Sequence, residues 1–132
     1  MRLKVLVVDD ERDVQLLFRQ QFRREIRRGE IELLFAYSGA EALQVLAQQG
    51  RTDVVLVLSD INMPGMTGLD LLCRIKSEPP PVPVCMMTAY GTDEHREKAA
   101  ACQCDGYLTK PLDFKALKEK IYAFAGQDTG PL

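Results

Sequence analysis

Apolar runs and amphipathic stripes alternate five times along this chain. Lys4-Val5-Leu6-Val7-Val8 runs into Asp9-Asp10, and Val54-Val55-Leu56-Val57-Leu58-Ser59 runs into Asp60. Val84-Cys85-Met86-Met87 runs into Thr88, and Gly106-Tyr107-Leu108-Thr109 runs into Lys110-Pro111. Runs that are apolar at nearly every position predict strands covered on both faces. A further strand is predicted over 31–37, rich in branched and aromatic residues. Between the runs the period changes. Val14, Leu17, Phe18, Phe22 and Ile26 recur at three- and four-residue steps, predicting one helix that starts after Asp10, buries a single stripe and closes at Gly29. Ser38 with Glu41 is a capping-box signal for a second helix, with Ala42, Leu43, Leu46 and Ala47 inward and Gly50 at its end.

The second half continues the alternation. Residues 62–68 read as a loop, 69–76 as a third helix, and Pro79-Pro80-Pro81 as a stiff connector that cannot be helical. The fourth strand is expected over 82–87, with Pro83 tolerable only near its start. A fourth helix over 94–101 has a weaker apolar pattern. The fifth strand is expected over 105–109, and Phe114, Leu117, Ile121, Tyr122 and Phe124 mark a last helix. Right-handed crossovers then make a doubly wound α/β domain, (βα)₅, with helices on both faces of a five-stranded parallel sheet. The domain is expected over 1–126, with 127–132 a flexible tail or the start of a linker.

At 132 residues the chain is one domain by length, and 46% hydrophobic with 27% charged residues is ordinary for a globular protein. A net charge of −2 argues against a dedicated nucleic-acid binder. Arg19, Arg23, Arg24, Arg27 and Arg28 nevertheless crowd the first helix, in the first instance as a solvated face. No apolar run reaches membrane-spanning length, and Met1-Arg2-Leu3-Lys4 does not begin a signal peptide, so a cytoplasmic location is expected. Cys73, Cys85, Cys102 and Cys104 lack the spacing of a zinc site and are expected to be reduced, partly buried thiols.

Parallel strands bring all their C-terminal ends to one edge, where open α/β sheets bind ligands. Asp9, Asp10, Asp60, Thr88 and Lys110 meet there. Singly, each has a plain explanation: helix-dipole charge, a turn former, a β-branched strand end, a solvated amine. Jointly they describe a site. Carboxylates crowded together are tolerable around a divalent cation, and Mg²⁺ takes a few carboxylates with water and phosphate oxygens. A carboxylate can accept a phosphoryl group, a transfer that demands neutralisation of the phosphoryl oxygens. Lys110 supplies a point charge for that purpose, and the Thr88 hydroxyl a hydrogen bond.

The motifs Val7-Val8-Asp9-Asp10-Glu11, Ser59-Asp60-Ile61-Asn62-Met63-Pro64-Gly65-Met66-Thr67-Gly68, Met87-Thr88-Ala89 and Gly106-Tyr107-Leu108-Thr109-Lys110-Pro111 together resemble the receiver domain of two-component response regulators, of the chemotaxis-regulator kind. The resemblance runs from Leu3 to about Ala125. It implies a flavodoxin-like three-layer α/β/α fold and a switch that is not a metabolic enzyme. Asp60 would be the phosphate acceptor, in a reaction requiring Mg²⁺, with Mn²⁺ as an alternative. Asp9 and Asp10 would be the acidic pair, Asp10 the more direct metal ligand, and Asn62 would offer its backbone carbonyl. Lys110 would contact the phosphate, and its bond to Pro111 would be cis. Thr88 and Tyr107 would form the switch pair, and the small Ala89 would leave the phosphate accessible. Asn62 and Tyr90 would tune dephosphorylation.

The implied partners are a sensor histidine kinase or phosphotransfer protein, docked with the help of the first-helix arginines, and an output domain beyond residue 132. A homodimer through the fourth helix, fifth strand and fifth helix is a further expectation. Nucleic-acid and membrane binding are not expected. The main competing reading is a phosphatase of the haloacid-dehalogenase type, which also phosphorylates a strand-end aspartate. Its nucleophile comes on an early strand within Asp-x-Asp and its metal pair comes late. Here the pair comes first and position 62 is Asn. A mononucleotide binder would need a Ser/Thr/Gly-rich phosphate loop after the first strand, where Asp9-Asp10-Glu11 would repel the ligand.

Overall fold

A computed structural model describes residues 2–89 and 91–127. Five strands form one parallel sheet: β1 (Leu3–Val8), β2 (Ile31–Ala36), β3 (Val54–Asp60), β4 (Val84–Thr88) and β5 (Gly106–Thr109). Their order is β2-β1-β3-β4-β5. The winding reverses between β1 and β3, the place where such sheets leave a crevice at their carboxyl ends. Every residue of β3 is buried, as its unbroken apolar run requires.

Two cores line the sheet. On one face Leu6, Val8, Val57 and Met86 pack with α3 (Gly39–Gln49), α4 (Gly68–Lys76) and α5 (Asp93–Ala101) through Ala42, Leu46, Leu71, Leu72, Ile75 and Ala99. On the other, Val5, Val7, Leu56 and Leu58 pack with α1 (Arg12–Gln21) and α6 (Phe114–Gln127) through Phe18, Leu117 and Ile121. Alternate residues of β1 therefore serve opposite cores, which the period of a strand dictates.

The first predicted helix is in fact two segments, α1 and α2 (Arg23–Arg27), joined at Phe22 with φ −103° and ψ 13°. Phe18 and Phe22 stack with their ring centroids 5.8 Å apart, and Phe114 of α6 meets both edge-on at 5.2 and 6.1 Å. With these rings filling the interface, Leu17 and Ile26 turn outward, 43% and 40% exposed, against the expected single buried stripe. Ser38 accepts a hydrogen bond from the Glu41 backbone N–H at 3.1 Å, and Gly50 closes α3 at φ +90°. Thr67 and Asp70 form a reciprocal capping box at the start of α4. Pro83 lies just outside β4 and its carbonyl accepts from Val57 at 2.9 Å.

Contrary to expectation, the four cysteines are not all reduced thiols. Cys73 of α4 and Cys102, which caps α5, are joined in a disulfide, while Cys85 and Cys104 are free. The partners are 29 residues apart and meet only because α4 and α5 are neighbours on the same face. Gln127 belongs to α6, and the remainder of the expected tail, 128–132, lies outside the described residues.

Candidate functional site

The strand ends deliver the polar residues to one edge. Asp9 and Asp10 follow β1, Asp60 ends β3, Thr88 ends β4 and Lys110 follows β5. Backbone pairing continues past the strands and holds them there. The Asp9 N–H donates to the Ala36 carbonyl at 3.1 Å, Ile61 to Met87 at 3.1 Å and Lys110 to Thr88 at 2.8 Å. The Lys110–Pro111 peptide bond is cis.

Asp9 and Asp60 are buried, 4% and 8% exposed, while Asp10 is exposed. One carboxylate oxygen of each lies within 4.8 Å of the others. The Lys110 ammonium donates to Asp9 Oδ2 at 3.0 Å and to Asp60 Oδ1 at 3.4 Å. The other oxygen of Asp9 accepts the Glu11 backbone N–H at 2.9 Å. Burial, and then the neighbouring Asp9 charge, push the Asp60 carboxyl above its ordinary range despite Lys110. Burial pulls the Lys110 ammonium down, but its bonds and proximity to Asp9 and Asp60 outweigh this and hold it above its ordinary value.

This oxygen-rich cluster carries more negative charge than a single ammonium balances, and the Asp9 charge adds to burial in raising the Asp60 carboxyl. A hard divalent cation with oxygen ligands fits such a donor set.

Asn62 and Ala89 are exposed in the segments after β3 and β4. Thr88 is fully buried. A Cβ at Gly91 would lie 3.3 Å from the Tyr107 hydroxyl and 3.7 Å from Thr88 Cγ2, so both side chains border the same space. The Tyr107 hydroxyl is buried without a hydrogen-bond partner among the described residues, and the Arg96 guanidinium lies 4.7 Å from its ring centre. Tyr90 is outside the described residues.

Gly68, expected within a loop, has a sharper task in the structure. A Cβ there would fall 1.8 Å from the Asp60 carbonyl oxygen, so α4 can begin this close to the acidic strand end only with glycine at that position. The one signal in the sequence was a glycine directly after the Thr67 cap.

A family model described as the response regulator receiver domain matches residues 5–122. The chain belongs to the response regulator receiver domain family. It is 36% identical over 121 residues to the response regulator protein FleR of Pseudomonas aeruginosa, covering 92% of this chain but 24% of that protein. A chemotaxis protein CheY homolog of Campylobacter jejuni is 30% identical over 130 residues, covering 97% of this chain and 96% of its own length. The signal receiver domain of an HD domain-containing protein from Pseudomonas fluorescens superposes with a TM-score of 0.85 at 26% identity, covering 99% of this chain and all of the other. This receiver domain thus spans about a quarter of FleR and nearly all of the CheY homolog. Among its described residues, no helix is long and apolar enough to cross a membrane.

Proposed function

We propose that the domain accepts a phosphoryl group on Asp60 from the phosphohistidine of a sensor histidine kinase or phosphotransfer protein, and thereby switches an output domain or partner. An Asp60 carboxylate oxygen attacks phosphorus, the P–N bond breaks, and the imidazole nitrogen keeps the electron pair. The single observation that carries this reading is the placement of Lys110 against both Asp9 and Asp60 at the sheet edge. The fixed ammonium stands where negative charge accumulates on the phosphoryl oxygens. Asp9, Asp10 and Asp60, with the Asn62 carbonyl, would hold Mg²⁺, or Mn²⁺ in its place. When bound, the cation supplies further neutralisation of the phosphoryl charge.

The Thr88 hydroxyl then donates to a phosphoryl oxygen, with Ala89 leaving the approach open, and Tyr107 turns inward beside it. The response passes to α5, β5 and α6, the face on which a second copy could pair. Asn62 and Tyr90 set the rate of hydrolysis. The reaction is a slow self-catalysed turnover, and a cytoplasmic setting suits it. Arginines of α1 and α2 contribute to kinase docking.

The test is binding of beryllofluoride, a phosphoryl mimic, with Mg²⁺, followed by amide chemical shifts. Saturable binding is expected in the native chain and loss of it in Asp60→Asn. Unchanged binding in that variant would overturn the assignment.

A further inference from the structure

Along one stripe α4 is cross-linked three times, to α5, to the residue that caps α5 and to the turn between α5 and β5. Asp70 Oδ1 meets Lys98 Nζ at 3.6 Å, Cys73 is bonded to Cys102, and Lys76 Nζ meets Asp105 Oδ2 at 2.5 Å. Positions 70, 73 and 76 follow one another at three-residue steps, so they share a face of α4. The first ionic rung is about half exposed on both sides and holds little by itself. The middle rung is covalent.

The two helices are not equally anchored. α4 buries Leu69, Leu71, Leu72 and Ile75, and Gly68 abuts the Asp60 backbone. At its other end the Arg51 guanidinium donates to the carbonyls of Ile75, Glu78 and Pro80 at 2.5, 2.7 and 3.0 Å. α5 buries only Ala99. A weakly seated helix is thus tied to a firmly seated one, and the weakly seated helix lies on the face assigned above to the response.

We infer that Cys73 and Cys102 are a reversible redox modification site, whose disulfide clamps α5 to α4 and damps the movement of α5 on phosphorylation. The damping of the response rests on the receiver reading; the clamp does not. In a reducing compartment a disulfide of this kind is formed and broken rather than permanent. The oxidant class is a low-molecular-weight disulfide such as oxidised glutathione. One cysteine thiolate attacks it, releasing one glutathione thiolate. The second cysteine then resolves the mixed disulfide and releases another. Two protein thiols are oxidised and one glutathione disulfide is reduced to two thiols. The remaining cysteines compete poorly: burial pushes the Cys85 thiol up to about 12 and raises Cys104 as well, leaving little thiolate on either.

The test uses the full 132-residue chain in glutathione buffers of varied poise, quenched by alkylation and read by mass spectrometry. Cys73 and Cys102 are expected to gain and lose protection together, reversibly. Independent alkylation of the two at every poise, or a bond that reduced glutathione cannot open, would overturn the site. Amide exchange is then followed along α5 in the oxidised chain, the reduced chain and the Cys73→Ser/Cys102→Ser variant, with and without Mg²⁺ and beryllofluoride. Without the mimic, α5 should exchange about tenfold faster once the bond is open. Equal rates in the oxidised and reduced native chain would refute the clamp, whatever the variant does. With the mimic, the α5 response should be larger in the reduced chain. A response of equal size in both forms would refute damping, whereas no binding of the mimic in either form would count against the receiver reading and leave the clamp to the basal rates.

Discussion

Lys110 donates to Asp9 at 3.0 Å across 101 residues of sequence, closer than the 3.4 Å that separates it from Asp60. Asp9 also accepts the Glu11 backbone N–H. Asp9 is therefore the better compensated of the two buried carboxylates. Asp60, the proposed acceptor, is the less compensated of the two, and burial first and the Asp9 charge second raise its carboxyl.

Removing the ammonium should expose that imbalance. Lys110→Ala leaves two buried carboxylates facing one another and should cost about 2 kcal/mol in metal-free buffer, below the full cost of breaking a buried pair because the site is partly open. Mg²⁺ should recover part of the loss, since the acidic cluster remains. Thermal unfolding with and without Mg²⁺ measures both effects. Beryllofluoride binding should fall at least tenfold, and a variant that binds it like the native chain would deny Lys110 its phosphate contact.

Asp60→Asn should act in the opposite direction on stability. The native Asp60 carboxyl is raised by burial and by Asp9, so the folded domain holds that proton more firmly than the unfolded chain. Stability contributed by protonated Asp60 is present below the ordinary carboxylate value of 3.8 and is lost as pH rises through the higher folded value. The neutral amide escapes that loss. In metal-free buffer the variant should be the more stable at neutral pH, with the advantage shrinking toward acid. Denaturant titrations across the acid range decide it, and an advantage that grows toward acid would contradict the sign.

The two residues of the acidic pair should separate by environment. Asp9 is buried and fastened to Lys110, whereas Asp10 is exposed. Asp9→Asn should chiefly lower stability, and Asp10→Asn should chiefly weaken Mg²⁺ binding. Calorimetric Mg²⁺ titration beside thermal unfolding gives both quantities, and equal Mg²⁺ affinities in the two variants would refute the ordering.

Much of this site was legible because a strand advertises its own end. Asp9, Asp60, Thr88 and Lys110 each terminate or follow an apolar run, and a parallel sheet carries all such ends to one edge. What escaped the sequence was decided by tertiary packing. The helical period runs unbroken through Phe22, yet three rings from α1, its end and α6 set the bend and turn Leu17 and Ile26 outward. Cys73 and Cys102 share no local motif, and only the α4–α5 packing makes them partners. Gly68 touches a backbone atom, which leaves no side-chain pattern to read.

That last contact yields its own prediction. In Gly68→Ala the new methyl would meet the Asp60 carbonyl at 1.8 Å, a backbone atom that cannot swing aside. Either α4 or the end of β3 must shift. A loss of about 3 kcal/mol or more is expected, as for other steric insertions into packed backbone. Urea unfolding measures it, and a variant within 0.5 kcal/mol of native, the usual range for a harmless substitution, would show that the α4 start is free to move.

Thr88→Ala should separate phosphate uptake from response. Lys110 is registered to the Thr88 backbone carbonyl at 2.8 Å, a bond that does not involve the side chain. Lys110, Asp9 and Asp60 therefore keep their places, and beryllofluoride should bind within about threefold of native, below 1 kcal/mol. The proposed signal does depend on the side chain. Thr88 and Tyr107 border the same space at Gly91, so a hydroxyl drawn toward the phosphoryl group vacates volume beside the ring. Alanine has no hydroxyl to be drawn, and its smaller side chain leaves that volume open whether or not the mimic is bound. The ligand then loses its preference for one arrangement, and a ligand of equal affinity for two states shifts neither. Amide chemical shifts along α5 and β5, with and without beryllofluoride, should show most of the native response gone while shifts around Asp60 persist. A full α5 response in this variant would mean that the signal leaves the site by another route, with the start of α4 at Gly68 the next element in contact with Asp60.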